Sequence, residues 1–581
     1  VYSGPSGSYK KPWTGFNPLK SGMNFLHSRI LKPKNETFEV DLVLGGQALW
    51  DQGYRGGEPL EGGFTSGPFD TTRTNIGEYE RSIRMNFNTR FRIKKWDGLS
   101  FGLNGNAIIL NESQSFFWQD ADTNIYRMLP GSLTNFNNFF AYLDPYLMYS
   151  GKKGAKHILR ARLFGSWSNG DVNGQNDSLQ EGQDSKSRTS FVEYQFSRDF
   201  SSTGILPFIT KDLSITAGAT MSHTWSTGGV FSATGTGDST SNALNAAAYV
   251  QLEKKFFKRL TLTAGGRYEY FQVNDITEAQ PVFRVGSNFR LTDGTFIRAS
   301  WGQGFRFPTV GERFISTYSG GSGFFANPDL EPETSWSGEI GLKQLYRFGK
   351  KVRGFVDISG FWQEYENFVE FAFVGLSDIQ PNLSGFRFFN TGKARIRGTE
   401  AILYTQLLLH KNWSIDINAG YTYSLPETLE PDLAYAISVE NNINVPGGQL
   451  DTFNLSYNQT ATDTASGNNI LKYRVQHLVN GDIQINFKGF SLGYTARYYS
   501  TMQVIDRFFV APGTSSQFGG LQEFLDNAGA GAWVFDARIN YTWKWLRVGL
   551  ICENLFNAEY SVRPLGVAPP RLTTLQLGFT F

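Results

Sequence analysis

The sequence predicts an all-β fold: a transmembrane, antiparallel up-and-down β-barrel with short turns at one end and long loops at the other. Three observations predict it. Apolar and polar residues alternate with period two along the whole chain, the alternating segments run about 10 to 16 residues, and the connections between them alternate short and long. A tilted strand needs about 9–11 residues to cross a bilayer, whereas strands of soluble sheets are usually about half as long as these segments. Helical spacing is nowhere comparable, and no window of about 20 residues is free of charged or strongly polar side chains, which excludes membrane helices.

Ser82–Ile93 carries the clearest pattern. Ile83, Met85, Phe87, Thr89, Phe91 and Ile93 fall on one face, and Arg84, Asn86, Asn88, Arg90 and Arg92 on the other. Val534–Trp543 repeats it, with Phe535, Ala537, Ile539, Tyr541 and Trp543 opposed to Asp536, Arg538, Asn540 and Thr542. Taken in order, strands are expected at 23–32, 36–50, 82–96, 99–112, 137–150, 156–168, 189–200, 213–225, 243–256 and 260–273. Further strands follow at 281–291, 295–307, 335–348, 354–370, 396–410, 413–424, 475–488, 490–500, 533–543, 546–556 and 571–581. Short connections include Gly151–Gly154, Lys254–Arg259, Gly349–Gly354 and Lys544–Trp545; long ones include Gly53–Glu80, Asn169–Arg188, Leu425–Tyr473 and Thr501–Ala532.

That makes twenty-one strands over residues 1–581, read as one domain. Bacterial barrels of this kind carry an even number, so the expectation is 22 in the complete protein, with the first strand and whatever fills the lumen lying before Val1. The polar face, dense in Arg, Asn, Gln, Asp and Glu, is read as the lumen, and a lumen of that width needs a plug. Trp96, Phe116, Phe117, Trp118, Trp543 and Trp545 near strand ends read as interface girdles.

Composition removes other classes. Aromatic residues make up 15% of the chain, too sticky for disorder, and the single Cys552 cannot build a disulfide framework. Lys plus Arg number 54 against 52 acids, so no whole-chain field points to nucleic acid. His27, His157, His223, His410 and His477 are scattered without metal-ligand spacing, and no enzyme signature is present; no catalytic residue, metal or cofactor is expected. Glu364 and Glu366 share one strand face, as glycosidase acids would, but read better as lumen charges.

Several segments resemble the TonB-dependent outer-membrane receptors. Gly302-Gln-Gly-Phe-Arg-Phe-Pro-Thr309 with Glu312-Arg-Phe314, and above all Asn327-Pro-Asp-Leu-Glu-Pro-Glu-Thr-Ser-Trp336, look like that family's signatures. So do Arg397-Gly-Thr-Glu400, Glu553-Asn-Leu-Phe-Asn557, Pro569-Pro-Arg571 and the terminal Phe581, in the family's order. Asp41–Gly46 and Arg267–Tyr270 are similar to iron-chelate receptors of Bacteroidetes-like bacteria. The resemblance implies a multi-pass outer-membrane barrel with periplasmic turns and extracellular loops. Its implied function is active import of a large scarce nutrient such as a ferric siderophore, energised by TonB through a plug not included in residues 1–581. It also implies an assembly role for Phe581, contact with outer-membrane lipids, and room for a surface lipoprotein partner. A passive porin, a ligand-binding outer-membrane protein and a barrel subunit of a larger complex are the alternatives.

Within the proline-rich signature, Pro328 and Pro332 hold Asn327 and Glu331 extended, and Asp329, Glu331 and Glu333 read as a solvated loop rather than a cation site. Ligand recognition is expected on the long-loop side. The substrate-binding candidates are Trp118, Tyr126, Arg127, Trp167, Arg313, Tyr318, Phe324, Phe325, Tyr435 and Arg507, because rings and guanidinium groups together suit an anionic, partly aromatic chelate.

Overall fold

The computed structural model describes residues 1–4, 17–32, 37–56, 77–120, 124–129, 132–151, 154–172, 184–200, 211–231, 239–319, 322–375, 384–442, 449–462, 467, 469–510 and 520–581. One antiparallel sheet of twenty-one strands forms the wall. Its first part is β1 (Lys20–Leu31), β2 (Phe38–Asp51), β3 (Tyr79–Ile93), β4 (Leu99–Gln114), β5 (Thr134–Ser150) and β6 (Ala155–Val172). Then come β7 (Asp184–Phe200), β8 (Leu213–Gly228), β9 (Ser239–Phe256), β10 (Leu260–Val273), β11 (Ile276–Arg290) and β12 (Thr295–Arg306). The short strands β13 (Thr317–Ser319) and β14 (Ser322–Phe325) belong to the loop layer, before the wall resumes with β15 (Glu333–Phe348) and β16 (Val352–Glu366). Loop strands β17 (Val369–Gly375) and β18 (Ser384–Asn390) precede β19 (Ala394–His410) and β20 (Trp413–Thr428), and the hairpin β21 (Ala436–Asn442)–β22 (Gln449–Leu455) precedes β23 (His477–Phe487). The wall ends with β24 (Phe490–Ser500), β25 (Gly531–Trp543), β26 (Leu546–Glu553) and β27 (Leu572–Phe579). Each wall strand pairs with the next in chain order, and all twenty-one coincide with the segments expected from alternation.

Register fixes which face is which, because a period-two strand sends alternate side chains to opposite sides. Leu163, Val192, Met221, Ile340, Ile358, Leu575 and Leu577 are exposed on the outer face, as a lipid-facing band requires. The opposite face carries cross-strand ion pairs: Arg90–Asp41 at 2.6 Å, Arg162–Asp144 at 2.6 Å, Arg298–Asp357 at 2.5 Å and Arg538–Asp482 at 2.7 Å. Trp96, Trp413, Trp543 and Trp545 stand exposed at the short-turn end, and Trp50, Trp301, Trp336 and Trp533 at the loop end, forming two girdles. Among the described residues no helix is long and apolar enough to cross a membrane.

Two expectations about faces are corrected by this register. Phe116, Phe117 and Trp118 belong to the loop layer, the last two buried, and none takes part in a girdle. Glu364 pairs with Trp336 and Arg395 on the outer face near the loop end, not on the lumen face.

Turn geometry accounts for the short end. Lys488 and Lys544 adopt positive φ (53° and 51°) in two-residue hairpins, and Gly98 sits at φ +81° where a Cβ would lie 2.1 Å from the Ser150 carbonyl. The free edges of β1 and β27 are not laddered to each other. Between them, at the loop end, Val1–Ser3 bonds to β27: the Val1 amine donates to Thr573 O at 2.7 Å, Thr573 N to Val1 O at 3.0 Å and Ser3 N to Arg571 O at 2.8 Å. Tyr2 N donates to Pro18 O at 3.0 Å on the β1 side.

Candidate functional site: an aromatic layer over the barrel mouth

The long loops fold into a packed layer. Its largest apolar cluster gathers Phe117, Trp118, Ile125 and Tyr126 from the loop after β4, Phe373 from β17, Met502, Ile505, Phe509, Leu521 and Phe524 from the loop after β24, and Leu565 and Val567 from the loop after β26. The β4–β5 loop and the β16–β19 loop arise roughly half-way round the sheet from each other. Their contact therefore spans the mouth.

The centre of the layer is a four-stranded sheet ordered β13-β14-β18-β17. Pairing of Phe371 with Phe388 and Phe373 with Phe386 places these four rings on one face, and Phe324 joins them by pairing with Phe386 in parallel. Phe371 and Phe386 stack at 4.9 Å, Phe324 and Phe386 at 5.6 Å, and Phe373 meets Phe386 edge-on at 4.9 Å. Such pairs are worth about 0.5–1.5 kcal/mol each beyond area burial. Phe116, reaching from the opposite wall, lies 5.7 Å from Phe324, so this face looks inward across the mouth. Phe324, Phe371, Phe386 and Phe388 remain half-exposed there. Phe508 covers Phe373 at 4.3 Å, and its neighbour Arg507 is exposed.

The reverse face is closed. Phe325, Ala372 and Phe389 are buried there against Tyr435, Ala436 and Leu455. Beneath it lies a buried ion cluster: Lys472 Nζ donates to Asp506 Oδ1 at 2.5 Å and to Thr460 Oγ1 at 2.8 Å, while Tyr473 Oη donates to Asp506 Oδ2. Phe373 N also donates to Asp506 Oδ2 at 3.5 Å, which ties the loop after β20, the loop after β24 and β17 to one carboxylate. Burial works against the charge on Lys472, but Asp506, Tyr435 and Glu370 outweigh it and hold its pKa above the ordinary value. Burial pushes the Glu370 carboxyl up, with Lys472 and Arg474 opposing.

The proline-rich signature positions this sheet. Asn327 Nδ2 donates to Phe388 O at 2.7 Å, Glu331 N to Asn390 Oδ1 at 2.9 Å, and Glu333 Oε2 accepts Val369 N at 3.0 Å. Asn367 Nδ2 donates to Glu331 Oε2 at 3.0 Å. The acids of the signature thus clamp the β17–β18 hairpin, and no group of metal-ligating residues occurs among the described residues. Just before it, α1 (Val310–Phe314) is opened by a capping box in which Thr309 and Glu312 bond each other. Burial opposes the charge on Glu312, yet bonds from Thr309 and Arg306 outweigh it and hold the carboxyl below its usual range.

The ligand candidates separate by place. Phe324 is on the inward face, and Arg507 is exposed in the loop after β24. Phe325 and Tyr435 pack on the reverse face, Tyr435 Oη lying 2.7 Å from Thr460 Oγ1. Trp118 and Tyr126 are fully buried packing residues, and half-buried Arg127 bridges Gly56 through its backbone. Arg313 is buried, its guanidinium donating to Leu330 O at 3.1 Å and to Pro328 O, so it braces the signature. Trp167 is not in a loop: it sits on β6 next to Phe139, 5.4 Å away on the outer face. Tyr318 lies on β13, its side chain outside the described residues. Phe581 follows β27, fully exposed and stacked on Phe579.

Residues that alternation does not reveal do much of the holding. Arg55, Lys472 and Asp506 are buried charges in segments without periodicity. Arg55 bonds Glu78 Oε1, Ser115 O and Phe117 O, each at 2.8 Å. Phe371, Phe386 and Phe388 were legible only as the aromatic runs Glu370–Phe373 and Phe386–Phe389.

Known proteins share this architecture. The siderophore receptor PirA of Acinetobacter baumannii is 14% identical, with a TM-score of 0.65 over 98% of this chain and 79% of that one. The Serratia marcescens hemophore receptor HasR, solved in complex with its hemophore and heme, is 14% identical, with a TM-score of 0.59 over 97% and 80%. Identity this low speaks for fold alone. Hemoglobin-haptoglobin utilization protein B of Neisseria meningitidis serogroup C is 28% identical over 114 residues, which is 20% of this chain and 14% of that protein. The TonB-dependent receptor-like β-barrel profile matches residues 38–555, and the chain belongs to this family of outer-membrane receptors.

Proposed function

We propose that this receptor binds an anionic iron chelate bearing planar rings, a ferric siderophore of aromatic type, and imports it across the outer membrane with energy relayed through TonB. The observation that carries the reading is the inward-facing, half-exposed row Phe324, Phe371, Phe386 and Phe388, with exposed Arg507 next in the chain to Phe508, which covers Phe373. Flat rings stack on such a face, and a guanidinium group attracts the chelate's negative charge. Receptors of siderophores and of heme among the structural relatives support the ligand class.

In this reading the wall is closed by one further strand running into Val1, and a plug from outside residues 1–581 fills the lumen and meets TonB. The bonds of Val1–Ser3 support the strand. Tyr2 faces Leu572, so position n before Val1 would face residue 573 + n, and eight positions reach Phe581.

The test is uptake. Cells deleted for the receptor and complemented with its full gene should accumulate radiolabelled iron from an aromatic siderophore, and collapsing the proton-motive force should stop accumulation. Uptake that ignores the proton-motive force would favour the passive porin, and no uptake with stable co-purifying partners would favour the assembly subunit.

A further inference from the structure

On the outer face of β7 two cations form no ion pair among the described residues. On β7 the outward row runs Lys186, Arg188, Ser190, Val192, Tyr194 and Phe196, fixed by the pairing of Ser190 with Leu163 and His223, and of Val192 with Met221. Leu163, Val192, Tyr194 and Met221 in these rows are all exposed hydrophobic residues of the lipid-facing band. Lys186 and Arg188 are exposed as well, and neither forms an ion pair among the described residues.

Their height is set by the girdle at the other end. Phe196 packs on His157 at 5.1 Å near the short turn, and Arg188 is eight residues further along β7. Eight residues span about 26 Å of strand, or roughly 20 Å along the membrane normal at a tilt near 40°. Arg188 therefore stands where the apolar band ends at the outer leaflet, and Lys186 just above it.

Tryptophans flank both. Lys186 is directly opposite Trp167, and Arg188 is opposite Trp225 with its guanidinium carbon 5.8 Å from the ring centre. A matching outward group on β19 behaves differently. Arg395 and Arg397 lie over Trp362, but Glu364 neutralises Arg395 at 2.8 Å and Glu427 neutralises Arg397 at 3.3 Å. The wall supplies its own anions there, whereas among the described residues no acid pairs with the β7 cations.

We infer that Lys186 and Arg188, set between Trp167 and Trp225, form a binding site for a phosphate of the outer leaflet's phosphorylated glycolipid. An unpaired cation at a lipid interface seeks an anionic headgroup, each contributing as basic residues near charged membranes do. The sugar ring of the headgroup rests against the indoles, and its acyl chains run down the apolar rows of Leu163, Val192 and Met221.

The experiment uses the full-length receptor in detergent micelles, with Kdo2-lipid A as the probe and native mass spectrometry as the readout. Wild type should bind Kdo2-lipid A, and the double variant Lys186→Gln/Arg188→Gln should bind about 10–30-fold more weakly at low salt, with the gap narrowing as salt rises. The charge-keeping pair Lys186→Arg/Arg188→Lys should bind like wild type, which separates charge from folding. Dephosphorylated lipid A and phosphatidylglycerol serve as the discriminating arms, and both should compete poorly. Equal binding by the Gln variant overturns the site; equal binding of dephosphorylated lipid A overturns the phosphate, and equal competition by phosphatidylglycerol overturns the glycolipid.

Discussion

The wall and the loop layer are made of similar residues under opposite rules. In the wall, charge pairs such as Arg538 with Asp482 and Arg497 with Asp536 line a polar lumen and are about a fifth to a third exposed, so each contributes modestly. In the loop layer, Lys472 and Asp506 are 4% and 1% exposed and their partners cross three loops. The wall gets its stability from repetition, one ladder after another, and tolerates local loss. The loop layer depends on a few unrepeated contacts, and losing one undoes a loop.

The sharpest break in that contrast is Asp506→Ala, which strands a buried ammonium. A cost of about 3–5 kcal/mol is expected, confined to the layer. Hydrogen exchange should show lost protection at 369–375 and 470–476 with the wall strands unchanged; loss spread evenly over the wall would erase the distinction. Next comes Arg313→Ala, which removes donors to the carbonyls of Leu330 and Pro328, for about 2–3 kcal/mol. Its mark should be faster exchange at 327–333 and in the β17–β18 hairpin that the signature clamps.

A smaller effect is electrostatic and has a definite sign. Glu370 has a carboxyl raised by burial, so its contribution to loop closure is full below the ordinary value of about 4.3 and is lost as pH rises through the raised one. Glu370→Gln should keep the hairpin as protected at pH 7 as wild type is at pH 4, flattening the pH profile of exchange there. Glu312, held low, works the other way and loses its contribution only in stronger acid. Smallest of all is Arg538→Gln in the wall, expected to cost about 0–1 kcal/mol in thermal unfolding.

The same contrast decides what was legible. Every wall strand could be read, because burying one face of a strand against lipid and wetting the other writes itself into alternate residues, as in Ser82–Ile93. Face assignment failed for Glu364 and Trp167, where polarity and loop-like neighbours misled while register did not. In the loop layer no period exists. Asp506 looks like any loop acid until Lys472, Tyr473 and Phe373 converge on it from elsewhere in the chain. Arg313 was read for its charge, which is spent on backbone carbonyls. Phe324 and Arg507 were legible as loop chemistry, but the inward face that Phe324 shares with Phe371 and Phe386 arises only from strand pairing within the loops.

The central claim is that this face receives a ring-bearing ferric chelate. Equilibrium titration of the purified full-length receptor with a ferric catecholate and a ferric hydroxamate, in wild type and in Phe371→Ala/Phe386→Ala, tests it most directly. Loss of two stacking rings should weaken the catecholate by about 5–150-fold, at about 0.5–1.5 kcal/mol per ring, and leave the ringless hydroxamate as weakly bound as before. Undiminished catecholate binding to the double variant, or hydroxamate binding as tight as catecholate in wild type, would contradict the account.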